Sequence, residues 1–226
     1  MAKPTFLRLP AARRDRVVDA AIAEFAARSY AEASLSRIAR SSKVAKGSFY
    51  QYFEDKLDLY RYLLLDEVPR RKRAFLGPAD DNVDFWTAFE TFVERGMAFL
   101  VVFPGLARLA AAAADPTALP EVRGLHLAIC EAGHAELRAL LERGQGAGAI
   151  AKEVDLDVAT RLVSTVIGPG LTDVVLQELG AELHEVLTST SLRKKLDARR
   201  RQRLAAQAIS FLKQGIGAPP KKRKTT

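Results

Sequence analysis

The side chains most able to do chemistry are few. The chain of 226 residues has one cysteine, Cys130, and two of its three histidines, His126 and His134, stand four residues to either side of it. On a helix this i, i+4, i+8 spacing puts successive members on neighbouring turns, so two of them could share a metal ion. The nearby acids Glu131 and Glu136 fall on other faces. A half-buried helix with scattered polar residues is therefore the simpler reading, and no metal site is expected. An enzyme is harder still to staff. The sequence has no nucleophile elbow, phosphate-binding glycine loop, HExxH or Ser-His-Asp set. A lone cysteine excludes an internal disulfide and a cysteine-cluster zinc site. The expectation is a protein that is not an enzyme and carries no cofactor.

Charge points elsewhere. The net charge of +8 is unevenly spread: residues 1–73 hold 16 Lys and Arg against 9 Asp and Glu, residues 74–189 hold 7 against 17, and residues 190–226 hold 12 against 1. A basic N-terminal segment ahead of an acidic body suggests an anion-binding module, with nucleic acid the leading candidate. Basic runs are also ordinary solvated surface, so charge alone does not decide. Residues 34–53, SLSRIARSSKVAKGSFYQYF, are more specific. Leu35, Ile38 and Ala39 share the inner face of one short helix. Phe49 and Phe53 share that of a second, with Val44 ahead of it. Small residues at Ala39, Gly47 and Ser48 would let the two cross closely. This is the spacing of a helix-turn-helix, whose second helix suits a DNA major groove.

Other elements must hold that pair in place. Val17, Val18, Ala21, Ile22 and Phe25 repeat at the spacing of one buried face, predicting a helix over ~11–28. Asp55 can cap a long helix carrying Leu57, Leu59, Tyr60, Leu63 and Leu64, which Pro69 kinks or interrupts before Phe75. Gly77–Pro78 reads as a linker. Helices then follow over about 83–103, 106–114, 119–143, 155–179 and 191–213. Pro169, in Gly168-Pro169-Gly170, should kink or split its helix. No stretch alternates at period two and no repeat is present. The fold class is all-α, about nine helices. It comprises a three-helix N-terminal domain over 11–71 and a larger helical domain over 79–214. The basic tail 215–226 is expected to be disordered. No apolar run reaches the ~18–20 residues of a membrane helix, the nearest being Met97–Phe103, and the N-terminus lacks a secretory core. A soluble, cytoplasmic protein without membrane association is expected.

The run IARSSKVAKGSFYQYFEDKLDLY resembles the DNA-binding signature of the TetR family of bacterial regulators, roughly I-A-x-x-A-G-V-S-x-G-[ST]-[FL]-Y-x-[HY]-F-x-x-K-x-x-L. The match falls at Ile38, Ala39, Val44, Gly47, Ser48, Phe49, Tyr50, Tyr52, Phe53, Lys56 and Leu59. Residues 11–71 carry the likeness; the rest matches in architecture. Three positions depart from the signature. Lys43 stands where glycine is usual, strained by ~1 kcal/mol if the turn is left-handed. Ala45 replaces a capping serine, and Ser42 replaces another small residue.

The resemblance implies double-stranded DNA as partner, with Ser34, Lys43, Tyr50 and Lys56 toward phosphates, Ser34 also capping its helix. Lys46, Gly47, Ser48, Gln51 and Tyr52 would lie on the exposed side of the recognition helix. Lys46 suits guanine and Gln51 adenine, and Gly47 permits close approach. It further implies a small-molecule effector, apolar or amphipathic, in a pocket of the body. Trp86, Phe89, Met97 and Phe103 are its candidate lining, with His126, Cys130 and His134 as further ligand contacts. Last, it implies a homodimer on a palindromic operator. Leu162, Val166, Val174, Leu196, Leu204, Ala208 and Leu212 on the last long helices are candidates for the dimer face. The implied function is a repressor released from its operator by that ligand. The alternatives are a metal- or redox-responsive regulator using His126, Cys130 and His134, or a non-specific basic DNA-binding protein.

Overall fold

The computed structural model describes residues 2–78 and 82–217. In chain order the helices are α1 (Pro4–Leu7), α2 (Ala11–Ala27), α3 (Leu35–Ser41), α4 (Lys46–Tyr52), α5 (Lys56–Tyr62), α6 (Val68–Leu76), α7 (Phe85–Val102), α8 (Pro104–Ala114), α9 (Pro120–Gly146), α10 (Leu156–Thr165), α11 (Leu171–Leu179), α12 (Leu183–Thr188), α13 (Thr190–Lys195) and α14 (Ala198–Ile216). Among the described residues the only strand-like pairing is a single bridge between Ile150 and Gly217. The class is all-α, as expected, but the helices outnumber the nine that periodicity suggests. Short α1 and α12 carry too few residues to show a period. The long C-terminal helix breaks at Leu196, after which Asp197 caps α14 by accepting from the Arg200 amide at 2.8 Å. Asp55 caps α5 in the same way, through the Asp58 amide at 2.7 Å.

Neither proline breaks its helix. A five-residue π turn, Leu63–Glu67, joins α5 to α6, and another, Val166–Gly170, joins α10 to α11. Proline lacks an N–H and crowds the carbonyl four residues back; the wider π turn shifts that carbonyl's register, so the helix continues. Pro169 lies inside its π turn and Pro69 two residues beyond the other. Of the kink or split expected at Pro169, the split does not occur. The π turn also yields, over Leu156–Leu179, a 24-residue helix long and apolar enough by length and composition to cross a membrane, which a sequence divided at Pro169 does not show. Its Ala159, Val163, Leu171, Val175 and Leu179 are nonetheless built into a protein core.

Contacts divide the described chain into two compact units, residues 2–75 with 102–130, and 76–101 with 131–217. The first unit takes in residues 2–9, α8 and the start of α9 besides the helix-turn-helix. Val17, Val18, Ala21, Phe25, Ile38, Leu59, Leu63, Leu106 and Leu109 are buried in it. The buried Tyr60 hydroxyl donates to the Leu109 carbonyl at 3.2 Å. Burial and the neighbouring Tyr30 push the Tyr60 phenol up to about 12. In the second unit Trp86, Phe89, Met97, Leu137, Leu141, Ile150, Leu204 and Ile209 join the α10–α11 residues in one apolar cluster. Gly144 lets the Phe85 ring pack close there: a Cβ would come within 2.6 Å of it, and the ring would have to shift. Arg201 and Glu94 pair at 2.7 Å across the unit. Residues 215 and 216 complete α14, and 218–226, the rest of the basic tail, lie outside the described residues.

Candidate nucleic-acid interface

The helix-turn-helix is anchored from α2 by one buried carboxylate. Glu24 accepts from the Ser34 amide at 3.0 Å, from Arg37 Nε at 2.7 Å and from Arg28 Nη1 at 3.2 Å. Burial alone would raise its pKa. The Arg37 and Ser34 hydrogen bonds and the charges of Arg28 and Arg37 outweigh that, and hold it below the usual 4.5. Ser34 takes the N-cap position of α3, but its hydroxyl makes no capping bond, contrary to expectation. The ion pair in effect replaces the cap: it fixes the first turn of α3 through the Ser34 backbone instead.

The turn after α3 is a Schellman arrangement. Lys43 N–H donates to the Arg40 carbonyl at 3.2 Å and Val44 N–H to Ala39 at 3.0 Å, the paired 5→2 and 6→1 bonds of that motif. It needs a left-handed residue, and Lys43 supplies it at φ 57°. Buried Ser42 donates its hydroxyl to the Ile38 carbonyl at 2.8 Å. Val44 is buried as the hydrophobic partner of the motif.

Helix α4 then has seven residues and two faces. Phe49 and Tyr52 point inward, Lys46, Gly47, Tyr50 and Gln51 outward, and Ser48 is half-buried. Tyr52 is thus not on the exposed side as expected: it is 5% exposed, its ring 5.7 Å from Phe6 and 6.4 Å from Phe49. Gly47 does not serve helix crossing either, since a Cβ there would meet nothing within 4 Å. Lys43 and Lys46 extend from the exposed surface. Lys56 is engaged within the fold: its ammonium donates to the carbonyls of Ala31 and Ala33 at 3.0 and 3.1 Å and lies 4.6 Å above the Tyr30 ring. Two of its three protons are therefore committed, which leaves one for a phosphate.

Sequence reasoning missed α1. Phe6 is fully buried against Phe53, Tyr62 and Tyr52. One aromatic in a short N-terminal run has no period to reveal it.

The body candidates are distributed over both units. Trp86, Phe89 and Met97 are buried in the apolar cluster of the second unit. Phe103 belongs to the first unit, its ring edge-on to Phe75 at 5.6 Å. His126 Nε2 lies 3.5 Å from Cys130 Sγ in the first unit, whereas His134 Nε2 meets the Ser164 hydroxyl at 3.0 Å in the second. Among the described residues no group of three or more His, Cys, Asp and Glu is placed to hold a metal. An open depression of about 330 Å³ lies between Asp173, Gln177, Glu182 and Glu185 and includes none of the expected lining. Of the expected dimer-face residues, Leu196, Leu204 and Leu212 are core. Leu162 and Val174 are exposed, joined by Val158 and by Phe211, which is 66% exposed and was not foreseen.

Residues 17–63 match the family described as bacterial regulatory proteins, tetR family. The chain is similar to the solved structure of a TetR family transcriptional regulator from Chloroflexus aurantiacus, at 28% identity and TM-score 0.65, covering 97% of this chain and 100% of that one. The fold is shared with the fatty acid degradation regulator FadR of Bacillus halodurans, at 20% identity and TM-score 0.64 over 84% of this chain and 96% of that one. It is shared too with FadR of Bacillus subtilis, solved with stearoyl-CoA, at 20% identity and TM-score 0.62 over 80% and 96%. No curated protein matches the chain by sequence.

Proposed function

We propose that the chain, whose residues 17–63 match the tetR family of bacterial regulatory proteins, is a dimeric repressor, not an enzyme, that reads a palindromic operator with α4 and leaves it on binding a small ligand. The observation that carries this reading is the outer face of α4. Two buried aromatics hold the helix, while Lys46, Gly47, Tyr50 and Gln51 stand outward. Glycine inside a helix costs about 1 kcal/mol relative to alanine, and nothing in the fold asks for it at 47. Close approach by a molecule outside the fold does. Lys46 is suited to guanine O6 and N7, and Gln51 to adenine N6 and N7. Lys43, Tyr50, the half-buried Ser34 and the last proton of Lys56 are assigned to phosphates, which position without reading sequence.

One such helix reads few bases, and two on a two-fold axis read a palindrome. Val158, Leu162, Val174 and Phe211 are exposed apolar side chains of the second unit, and we assign them to the surface that a second copy covers. The effector site is assigned to the core around Trp86, Phe89 and Met97, none of which exposes more than 8%. A ligand there must displace packed side chains. It can release DNA only through unequal affinity for the two states.

The test is selection of bound fragments from a random duplex library at physiological salt. One palindrome, with half-sites about one helical turn or slightly more apart, is the expected result. Recovery of no motif, with retention that collapses as salt rises, would assign binding to non-specific charge and end the repressor reading.

A further inference from the structure

A helix ends with four carbonyls that have no partner within it. In α4, with Phe53 as C-cap, these belong to residues 50–53. The Phe53 amide makes the helix's last own bond, to the Phe49 carbonyl at 2.8 Å. The carbonyls of Tyr50, Gln51 and Tyr52 are all taken by a segment more than forty residues earlier. Tyr50 accepts from the Lys3 ammonium at 3.0 Å, Gln51 from the Thr5 hydroxyl, and Tyr52 from the Lys3 amide at 2.9 Å. Three of the four open carbonyls are thus satisfied from outside the helix, and a cation sits where the helix dipole favours one. The same ammonium lies 3.7 Å from Glu54.

The segment is itself held firmly. Helix α1 has four residues, far too few to be stable alone. Its Phe6 is fully buried, with ring centroids 4.7 Å from Phe53 and 5.3 Å from Tyr62. Arg14 Nη1 ties the Leu7 carbonyl to α2 at 3.1 Å. At the other end of α4 the N-cap is Ala45, without a side-chain bond. The helix is therefore secured at its C-terminus far better than at its start.

We propose that Lys3, Thr5 and Phe6 form a positioning clamp that fixes the register of α4, and so sets how sharply the protein tells one DNA sequence from another. The inference rests on the reading above, in which α4 contacts bases. Base-edge hydrogen bonds fail when a side chain shifts by a fraction of an ångström, whereas contacts to phosphate carry no sequence information. Gln51 projects from the clamped turn itself. Loosening that turn degrades discrimination before it degrades overall attraction to DNA.

The test uses the full chain with Thr5→Val, Lys3→Met, the double variant, and Thr5→Ser as the conservative control. Thr5→Val and Lys3→Met each remove one side-chain donor and leave Phe6 in place. The probes are the palindrome selected by the wild type and the same duplex with scrambled half-sites. Amide hydrogen exchange over residues 49–53 and the thermal midpoint are measured alongside. Losing two hydrogen bonds should lower the palindrome-to-scrambled affinity ratio by roughly tenfold in the double variant and speed exchange at 49–53 by a similar factor. Thr5→Ser should keep both near wild type. An unchanged ratio overturns the proposal, whether the midpoint is unchanged or has fallen, since a purely structural role moves stability without moving discrimination. Should the wild type select no palindrome, the operator reading fails on its own. Exchange at 49–53 then decides the clamp: faster in the double variant upholds it, unchanged overturns it.

Discussion

Gly47 and Glu24 show how differently two residues of one motif are constrained. Gly47 has open space where a side chain would go, so Gly47→Ala should stabilise the fold by about 0.5–1 kcal/mol through lost backbone freedom in the unfolded chain. The same methyl group would stand between α4 and a groove. Thermal unfolding should therefore rise while affinity for the selected duplex falls, and a variant that binds as well as wild type would remove Gly47 from the interface. Glu24 is constrained from inside. Its pKa is held below the usual 4.5, so its contribution to stability is fully present above that value and lost as pH falls through the lower folded value. Glu67, where Arg70 and Arg71 outweigh burial, loses its contribution in the same acid range. Wild type minus Glu24→Gln isolates the first: the stability difference in chemical denaturation should be level from pH 7 to about 5.5 and shrink below about pH 4.5. The type and spacing of the α4 residues were legible in the sequence. The role of Glu24 was not, because its partners come from ten and thirteen residues away through the tertiary fold.

Among the helices, those with a long apolar stripe were legible and those defined by their ends were not. Periodicity places α2, α7 and α9 to within a few residues, since a buried face of several turns leaves a clear trace. It cannot foresee that a π turn will carry a helix past Pro69 or Pro169, because the choice between breaking and widening is made by what packs on either side. Nor can it distinguish a hydroxyl that caps, as expected of Ser34, from one that does not. The weak N-terminus of α4 offers a direct check. Ala45 has extended backbone angles suited to a cap, φ −62° and ψ 137°. Ala45→Ser should therefore add about 1 kcal/mol of stability, read from a denaturant midpoint at unchanged slope. No gain would mean the added hydroxyl finds a partner other than the Lys46–Ser48 amides.

For the molecule as a whole, the exposed apolar residues are the feature still to be satisfied. Leu162 is 63% and Phe211 66% exposed, and both are assigned above to the face of a second copy. If a second copy covers them, Leu162→Glu with Phe211→Glu should convert a dimer to a monomer in sedimentation equilibrium and lower operator affinity at least tenfold, while helicity by circular dichroism holds. A monomeric wild type would refute the dimer outright. The sequence by itself determined the all-α class, the helix-turn-helix and the identity of the groups on α4, because these follow from side-chain period and type within some twenty consecutive residues. Tertiary structure alone decided that Tyr52 is core, that Leu196, Leu204 and Leu212 face their own chain, and that Lys3 and Thr5 close the recognition helix. Each of those outcomes depends on which distant surface meets a given helix face. Chain order does not encode that meeting locally; it is settled by the apolar area and the backbone hydrogen bonds that the whole unit must satisfy together.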